Sequence, residues 1–119
     1  MARSLFENLE VYKLSESWAD TVWAIVFELE NFTKITVGFQ LVRACDSIGA
    51  NIAEGFGRGS IIDNGRFVRI ARGSLFETKH WLRRAVKRNL LTTQNINTIK
   101  KIIDELTPRL SAYINSLVR

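Results

Sequence analysis

The chain has 119 residues, of which 46% are hydrophobic and 24% charged, with a net charge of +5, one proline and one cysteine. That length and composition suit one globular domain over residues 1–119 with room for a real core, and the scarcity of turn residues excludes an all-β fold. A lone cysteine excludes an internal disulfide framework or cysteine-built zinc site, and a basic balance favours acidic partners, nucleic acid first.

Ser4 to Glu7 has the form of a capping box, the serine oxygen taking a free backbone N–H and the glutamate reaching back, so a first helix is expected to start there. Val11, Ser15, Trp18, Val22, Ile25 and Leu29 recur at spacings of four and three, a seam facing other helices that carries this helix to Glu30 or Asn31. Trp23 and Phe27 lie beside the seam and widen the apolar face beyond what one partner helix covers. Residues 31–36 read as a short connection, so a second helix from Val37 to Glu54 runs antiparallel to the first.

In that second helix, at about 100° per residue, Leu41, Cys45, Ile48 and Ile52 share one stripe. Gln40, Arg43, Ser47, Asn51 and Glu54 share the next. Gly49, Ala50 and Ala53 keep the third side small, leaving little face for water apart from Asp46. The polar stripe is expected to bond across a helix interface to Ser74, Glu77 and Thr78, because an unsatisfied buried polar group costs roughly 1–3 kcal/mol. Catalysis by Asn51 and Glu54 is the alternative.

The run from Gly55 to Gly59 (GFGRG) invites a phosphate-loop reading, since glycines let backbone amides approach an anion. It follows a helix where a dinucleotide fingerprint follows a strand, and the spacing is wrong. A left-handed glycine cap is the simpler expectation, with an anion on Arg58 as the alternative. The third helix, from Ile62 to Arg88, places Phe67, Ile70, Ala71, Ser74, Leu75, Thr78, Leu82, Ala85 and Val86 on one side. The opposite side carries Arg69, Arg72, Lys79, His80, Arg83 and Lys87, with Phe76 among them. Residues 89–95 are the next turn, with Thr92 or Thr93 as cap. Ile96, Ile99, Ile103, Leu106, Leu110, Tyr113 and Leu117 then mark a fourth helix, which Pro108 should bend near Asp104 and Glu105. The pattern as a whole is that of an all-α, antiparallel up-down-up-down four-helix bundle.

Charge is polarised along the chain. Before Thr33, Arg3 and Lys13 face six acidic residues, whereas Arg66 to Arg88 holds eight cations against Glu77 alone.

Several stretches carry a family resemblance: FENLEVY from Phe6 to Tyr12, QLVR from Gln40 to Arg43, SIGANIAEG from Ser47 to Gly55 and IARGSLFE from Ile70 to Glu77. In order and spacing they resemble the bacterial four-helix-bundle proteins encoded by intervening sequences in 23S ribosomal RNA genes. The likeness runs over nearly the whole chain, and more distantly it reaches the accessory variability determinant proteins of diversity-generating retroelements. It implies a homo-oligomer, a pentamer as in the family's five-fold rings, and a context of ribosomal RNA genes or reverse-transcriptase complexes. It also marks Gln40, Arg43, Ser47, Asn51, Glu54, Gly55, Gly73, Ser74 and Glu77 as motif positions, read here as structural. Two departures stand out. Gly49 replaces a frequent proline and Phe32-Thr33 replaces a Phe-Pro pair, so altered helix ends are expected there.

No enzymatic constellation stands out, and no cofactor or metal is expected. His80 and Cys45 lie on different helices, and His80 sits among like charges that oppose proton uptake. Glu77 and His80 have Glu-x-x-His spacing, but a di-iron bundle needs a second copy. The uncharged run from Val22 to Phe27 is far short of the ~20 residues of a membrane span, no basic-then-apolar segment opens the chain, and a soluble cytoplasmic protein is expected. The charges support binding of nucleic acid, RNA above all, or of an RNA-associated protein. The candidate residues are Arg66, Arg69, Arg72, Phe76, Lys79, Arg83, Arg84 and Lys87, the cations for phosphates and the ring for an unpaired base. The alternative is an interaction module whose partner is protein, acting through its own homo-oligomer.

Overall fold

The computed structural model describes residues 5–117. Four long helices form the bundle. α1 spans Glu10–Phe27. α2 is built of three consecutive helical segments, Asn31–Thr33, a wide π turn over Lys34–Gly38, and Phe39–Gly57. α3 spans Ile61–Lys87 and α4 spans Thr93–Leu117. Each helix packs on the next, α4 closes back on α1, and the two diagonal pairs make no close approach, which is the expected up-down-up-down arrangement. The long dimension of 46 Å is set by α3, whose 27 residues span about 40 Å at a rise of ~1.5 Å each.

Every helix contributes to one core. Trp18 and Val22 from α1, Leu41, Ile48 and Ile52 from α2, Val68 and Leu75 from α3, and Leu106 and Leu110 from α4 are all fully buried. Cys45 lies among them, and loss of water pushes its thiol well above the ordinary cysteine range. The α3 register differs from the expected one. Val68 is buried, whereas Ile70 and Val86 are exposed on the flanks, because the true contact arc is centred between α2 and α4.

Helix ends explain the other differences. Ser4 of the expected capping box lies outside the described residues. Phe6–Asn8 is a single 3₁₀ turn in which Asn8 and Leu9 N–H donate to the Leu5 and Phe6 carbonyls, so α1 starts later, at Glu10. At its other end α1 stops at Phe27 and not at Glu30, because the Glu30 carboxylate is the N-cap of α2, accepting from Phe32 N (2.9 Å) and Thr33 N (3.3 Å). The stretch read as a connection is therefore helical, and the Phe32-Thr33 departure does fall on a helix start. Gly49 does not: it sits in mid-helix, where a Cβ would stand 3.1 Å from Ser15 Oγ.

α2 also runs past Glu54 to Gly57, so Gly55 is an interior contact and not a cap. The left-handed residue of this turn is Gly59 (φ +85), followed by Ser60, whose Oγ accepts from Asp63 N at 3.1 Å to start α3. α3 ends with Asn89 at φ 57 and with Leu90 N–H donating to the Ala85 carbonyl, a left-handed cap made by asparagine. Thr92 caps α4 reciprocally with Asn95 (3.0 and 3.4 Å), and α4 remains one helix through Pro108.

Candidate nucleic-acid interface

The α2–α3 seam holds the candidate face in place. Along it, two members of the polar stripe, Arg43 and Ser47, bond across to α3 as expected, while Gln40, Asn51 and Thr78 bond within their own helices. Arg43 donates to Gln40 Oε1 (3.1 Å) and to Glu77, which also accepts from Trp81 Nε1 at 3.1 Å. One turn on, Ser47 and Ser74 share a hydroxyl hydrogen bond of 2.9 Å. Asn51 Nδ2 donates to the Ser47 carbonyl (2.8 Å) and hydroxyl (3.0 Å), and Thr78 Oγ1 donates to the Ser74 carbonyl at 2.7 Å. Arg43 and Glu77 are 48% and 39% exposed, so their ion pair contributes no more than about 1 kcal/mol. It ties α2 to α3 at the solvent edge of the seam. Glu54 is not part of this seam; it pairs outward with Arg58 at 3.7 Å. Arg43, Asp46 and Glu54 also leave α2 an exposed strip, more than its small residues suggested.

Gly55 sets how closely the two helices approach. A Cβ there would stand 2.9 Å from Phe67 Cβ and 3.0 Å from the Asn64 carbonyl oxygen. Gly73, by contrast, has open space around its Cβ direction. The two motif glycines therefore differ in kind.

With α3 fixed this way, its outward side presents the candidate cations. Arg66, Arg69, Arg72, Arg83 and Lys87 are exposed, while Lys79 and Arg84 are half-buried at the edges. Arg66 is paired with Asp63 at 3.3 Å. Among the described residues, Arg69, Arg72, Lys79, Arg83, Arg84 and Lys87 form no ion pair. Phe76 projects between them and is 58% exposed, with Lys79 Nζ 4.9 Å from its ring centroid. The eight residues chosen from sequence thus fall on one face, with Arg66 already neutralised. Arg58 is engaged too, by Glu54 and by the Phe67 ring at 5.0 Å, which leaves the glycine run without a free cation for an anion.

The opposite flank, along the α1–α2 seam, has two parts. One is an apolar groove of about 280 Å³ lined by Trp23, Phe27, Ile35, Phe39 and Val42, with Lys34 Nζ 5.0 Å from the Phe27 ring centroid. The other, one to two turns towards the N-terminus of α1, carries Glu16, Asp20 and Asp46 above small Gly49 and Ala50. The width of this surface follows from Trp23 and Phe27, which the sequence already marked, together with Phe39. Ile35 and Lys34 were missed, because the π turn shifts the helical register there.

Partial loss of water, and then the charge of Asp20, push the Asp46 carboxyl above the usual aspartate value. A carboxyl raised on folding contributes stability that is full below its unfolded pKa, about 3.9, and lost as pH rises through the folded value. Asp46→Asn should therefore raise the thermal midpoint slightly at neutral pH, and the gain should vanish in acid, as checked by melting curves over a pH series.

Among the described residues, no three His, Cys, Asp or Glu side chains gather as a metal site, and no helix is long and apolar enough to cross a membrane. Comparison with curated proteins finds no match. The model of the 23S rRNA-intervening sequence protein family, however, matches residues 7–112, which takes in all four helices and both sides of the α2–α3 seam, and the chain belongs to that family.

Proposed function

We propose that this is a small non-enzymatic protein that binds nucleic acid, RNA or single-stranded DNA, alone or within an RNA-containing assembly, through the outward face of α3. The supporting observation is the stripe of exposed, unpaired cations around Phe76, held on a helix whose other side is locked into the bundle. Arginines three and four residues apart follow a phosphate backbone, and an exposed ring between them offers a stacking surface for an unpaired base. A cytoplasmic setting and a homo-oligomer belong to the same reading, with five subunits by family resemblance and the exposed aromatic surface of α1 and α2 as the site of association.

Arg72→Glu with Arg83→Glu tests this. Both side chains lie outside the core, so helicity and thermal midpoint should stay within experimental error of the wild type. Binding of single-stranded RNA in a filter or mobility assay should fall at least about tenfold, two charge-assisted phosphate contacts being lost and two repulsions gained. Unchanged binding would remove the proposal. The apolar groove favours a second reading, an interaction module for a protein partner. Native purification separates the two: RNA that co-purifies supports the first, and a defined protein partner with a nucleic-acid-free absorbance ratio supports the second.

A further inference from the structure

We propose that the cleft at the bundle end where α2 begins and α3 stops is a second nucleotide seat, holding one base of a single strand against Phe32 and the adjoining phosphate on Arg88. The inference rests on the nucleic-acid reading above and carries the strand beyond the α3 stripe.

The cleft encloses about 350 Å³ and is lined by Phe32, Thr33, Thr36, Val37, Arg88 and Leu90. That volume falls within the range of small-ligand sites. Phe32 is 70% exposed, more than Phe76 on the stripe, and a ring left this open offers a stacking face. Helix ends hold both sides of the cleft. On one side the Glu30 carboxylate accepts from Phe32 N and Thr33 N, which fixes the backbone that carries the ring. On the other, the left-handed Asn89 turn, closed by Leu90 N–H on the Ala85 carbonyl, places Arg88 and Leu90 at the end of α3.

Charge gives the occupant its orientation. Arg88 is exposed and, among the described residues, forms no ion pair, so its guanidinium is available for a two-pronged contact with a phosphate. Glu30 does not line the cleft, but its charge disfavours a phosphate on the Phe32 side. The phosphate therefore belongs to Arg88 and the base to Phe32. Thr36 Oγ1 donates to the Phe32 carbonyl at 2.8 Å, which leaves its lone pairs to accept from a base N–H. Val37 and Leu90 complete an apolar surround for the ring. The cleft also continues the path of the stripe. Arg83, Arg84 and Lys87 lead from Phe76 to Arg88, twelve residues and about 18 Å along α3. A strand that follows these cations arrives at the cleft, and Phe76 and Phe32 are its two stacking points.

Anisotropy titrations with a single-stranded oligouridylate of about 16 nucleotides, the upper range of single-strand site sizes, test the seat. Phe32→Ala should weaken binding at least about fivefold, the lower limit for a lost base–aromatic stack, and Phe32→Tyr should keep wild-type affinity. Arg88→Gln should weaken binding and flatten the slope of log K against log salt by about 0.7, one phosphate contact. Both positions lie outside the core, so thermal midpoints should match the wild type. A strand of the same length made of abasic residues should bind wild type and Phe32→Ala equally, since it has no ring to stack. Wild-type affinity and slope in Phe32→Ala and Arg88→Gln, beside the expected loss in Arg72→Glu with Arg83→Glu, would overturn the seat and leave the nucleic-acid reading intact. An equal loss of abasic-strand binding in Phe32→Ala would overturn the placement of a base on that ring. A wild type that binds no RNA would overturn the seat together with the nucleic-acid reading.

Discussion

Gly55→Val should destabilise the bundle by on the order of 3 kcal/mol, the upper range of overpacking costs. Of the atoms that a side chain would meet, the Asn64 amide oxygen can turn away, but Phe67 Cβ and the Asn64 carbonyl oxygen belong to rigid parts of α3. They cannot swing aside like the tip of a long side chain. Relief requires α3 to move away from α2, and that stretches the Ser47–Ser74 hydrogen bond and the Arg43–Glu77 contact two and three turns along the same seam. Gly55→Ala separates this cause from helix propensity. Alanine is favoured over glycine inside a helix by about 1 kcal/mol, so propensity alone would stabilise the protein. The close approach should reverse the sign, and the urea midpoint of Gly55→Ala should fall below that of the wild type. A rise would mean that α2 and α3 have slack at this point.

Trp18→Ala should cost about 3–5 kcal/mol, a large share of the ~5–15 kcal/mol by which a domain is stable. Trp18 is the largest of the fully buried side chains and lies in the cluster that all four helices share. Its removal leaves a void that neighbours fixed on separate helices cannot fill. The indole also has a weakness. Among the described residues its N–H has no hydrogen-bond partner, so part of its packing gain offsets an unsatisfied donor. Trp18→Phe removes that donor and keeps most of the ring, and its cost should be less than half that of alanine. Denaturant unfolding followed by far-UV circular dichroism checks both values. A phenylalanine variant as unstable as the alanine one would show that the missing partner does not matter.

Most of the interior was legible in the sequence, as were the bounds of α3 and the Thr92 cap, whereas the ends of α1 and of α2 were not. Leu41, Cys45, Ile48 and Ile52 recur so regularly that their burial follows from spacing, and all four are buried. The polar stripe of α2 was legible for a related reason: side chains that need partners, set on the flank of an apolar stripe, face the next helix. Its partners Ser74 and Glu77 followed, but Thr78 bonds back to the Ser74 carbonyl of its own helix, and Trp81, which donates to Glu77, did not follow, since an aromatic residue at that position reads as packing. The start of α2 was hidden by chemistry that local pattern does not report. Phe32 and Ile35 are apolar yet exposed, and the π turn over Lys34–Gly38 breaks the helical period. Gly55 was misread because a glycine near a helix end and a glycine under a crossing helix look alike until the second helix is placed. On α3 the cationic face was correctly grouped. The ion pair that neutralises Arg66 follows from Asp63 three residues earlier, a signal available in the sequence.

The most direct measurement is the salt dependence of RNA binding. A labelled single-stranded RNA oligonucleotide would be titrated by fluorescence anisotropy with wild-type protein and with Arg72→Glu, Arg83→Glu, across a series of monovalent salt concentrations. Each phosphate contact on a single strand adds about −0.7 to the slope of log K against log salt. A stripe engaging roughly four phosphates at once should give a slope on the order of −3. The variant should bind at least about tenfold more weakly, with a slope flatter by about 1.4 for the two lost contacts. Equal affinity and equal slope for the two proteins would contradict a nucleic-acid role for the α3 face.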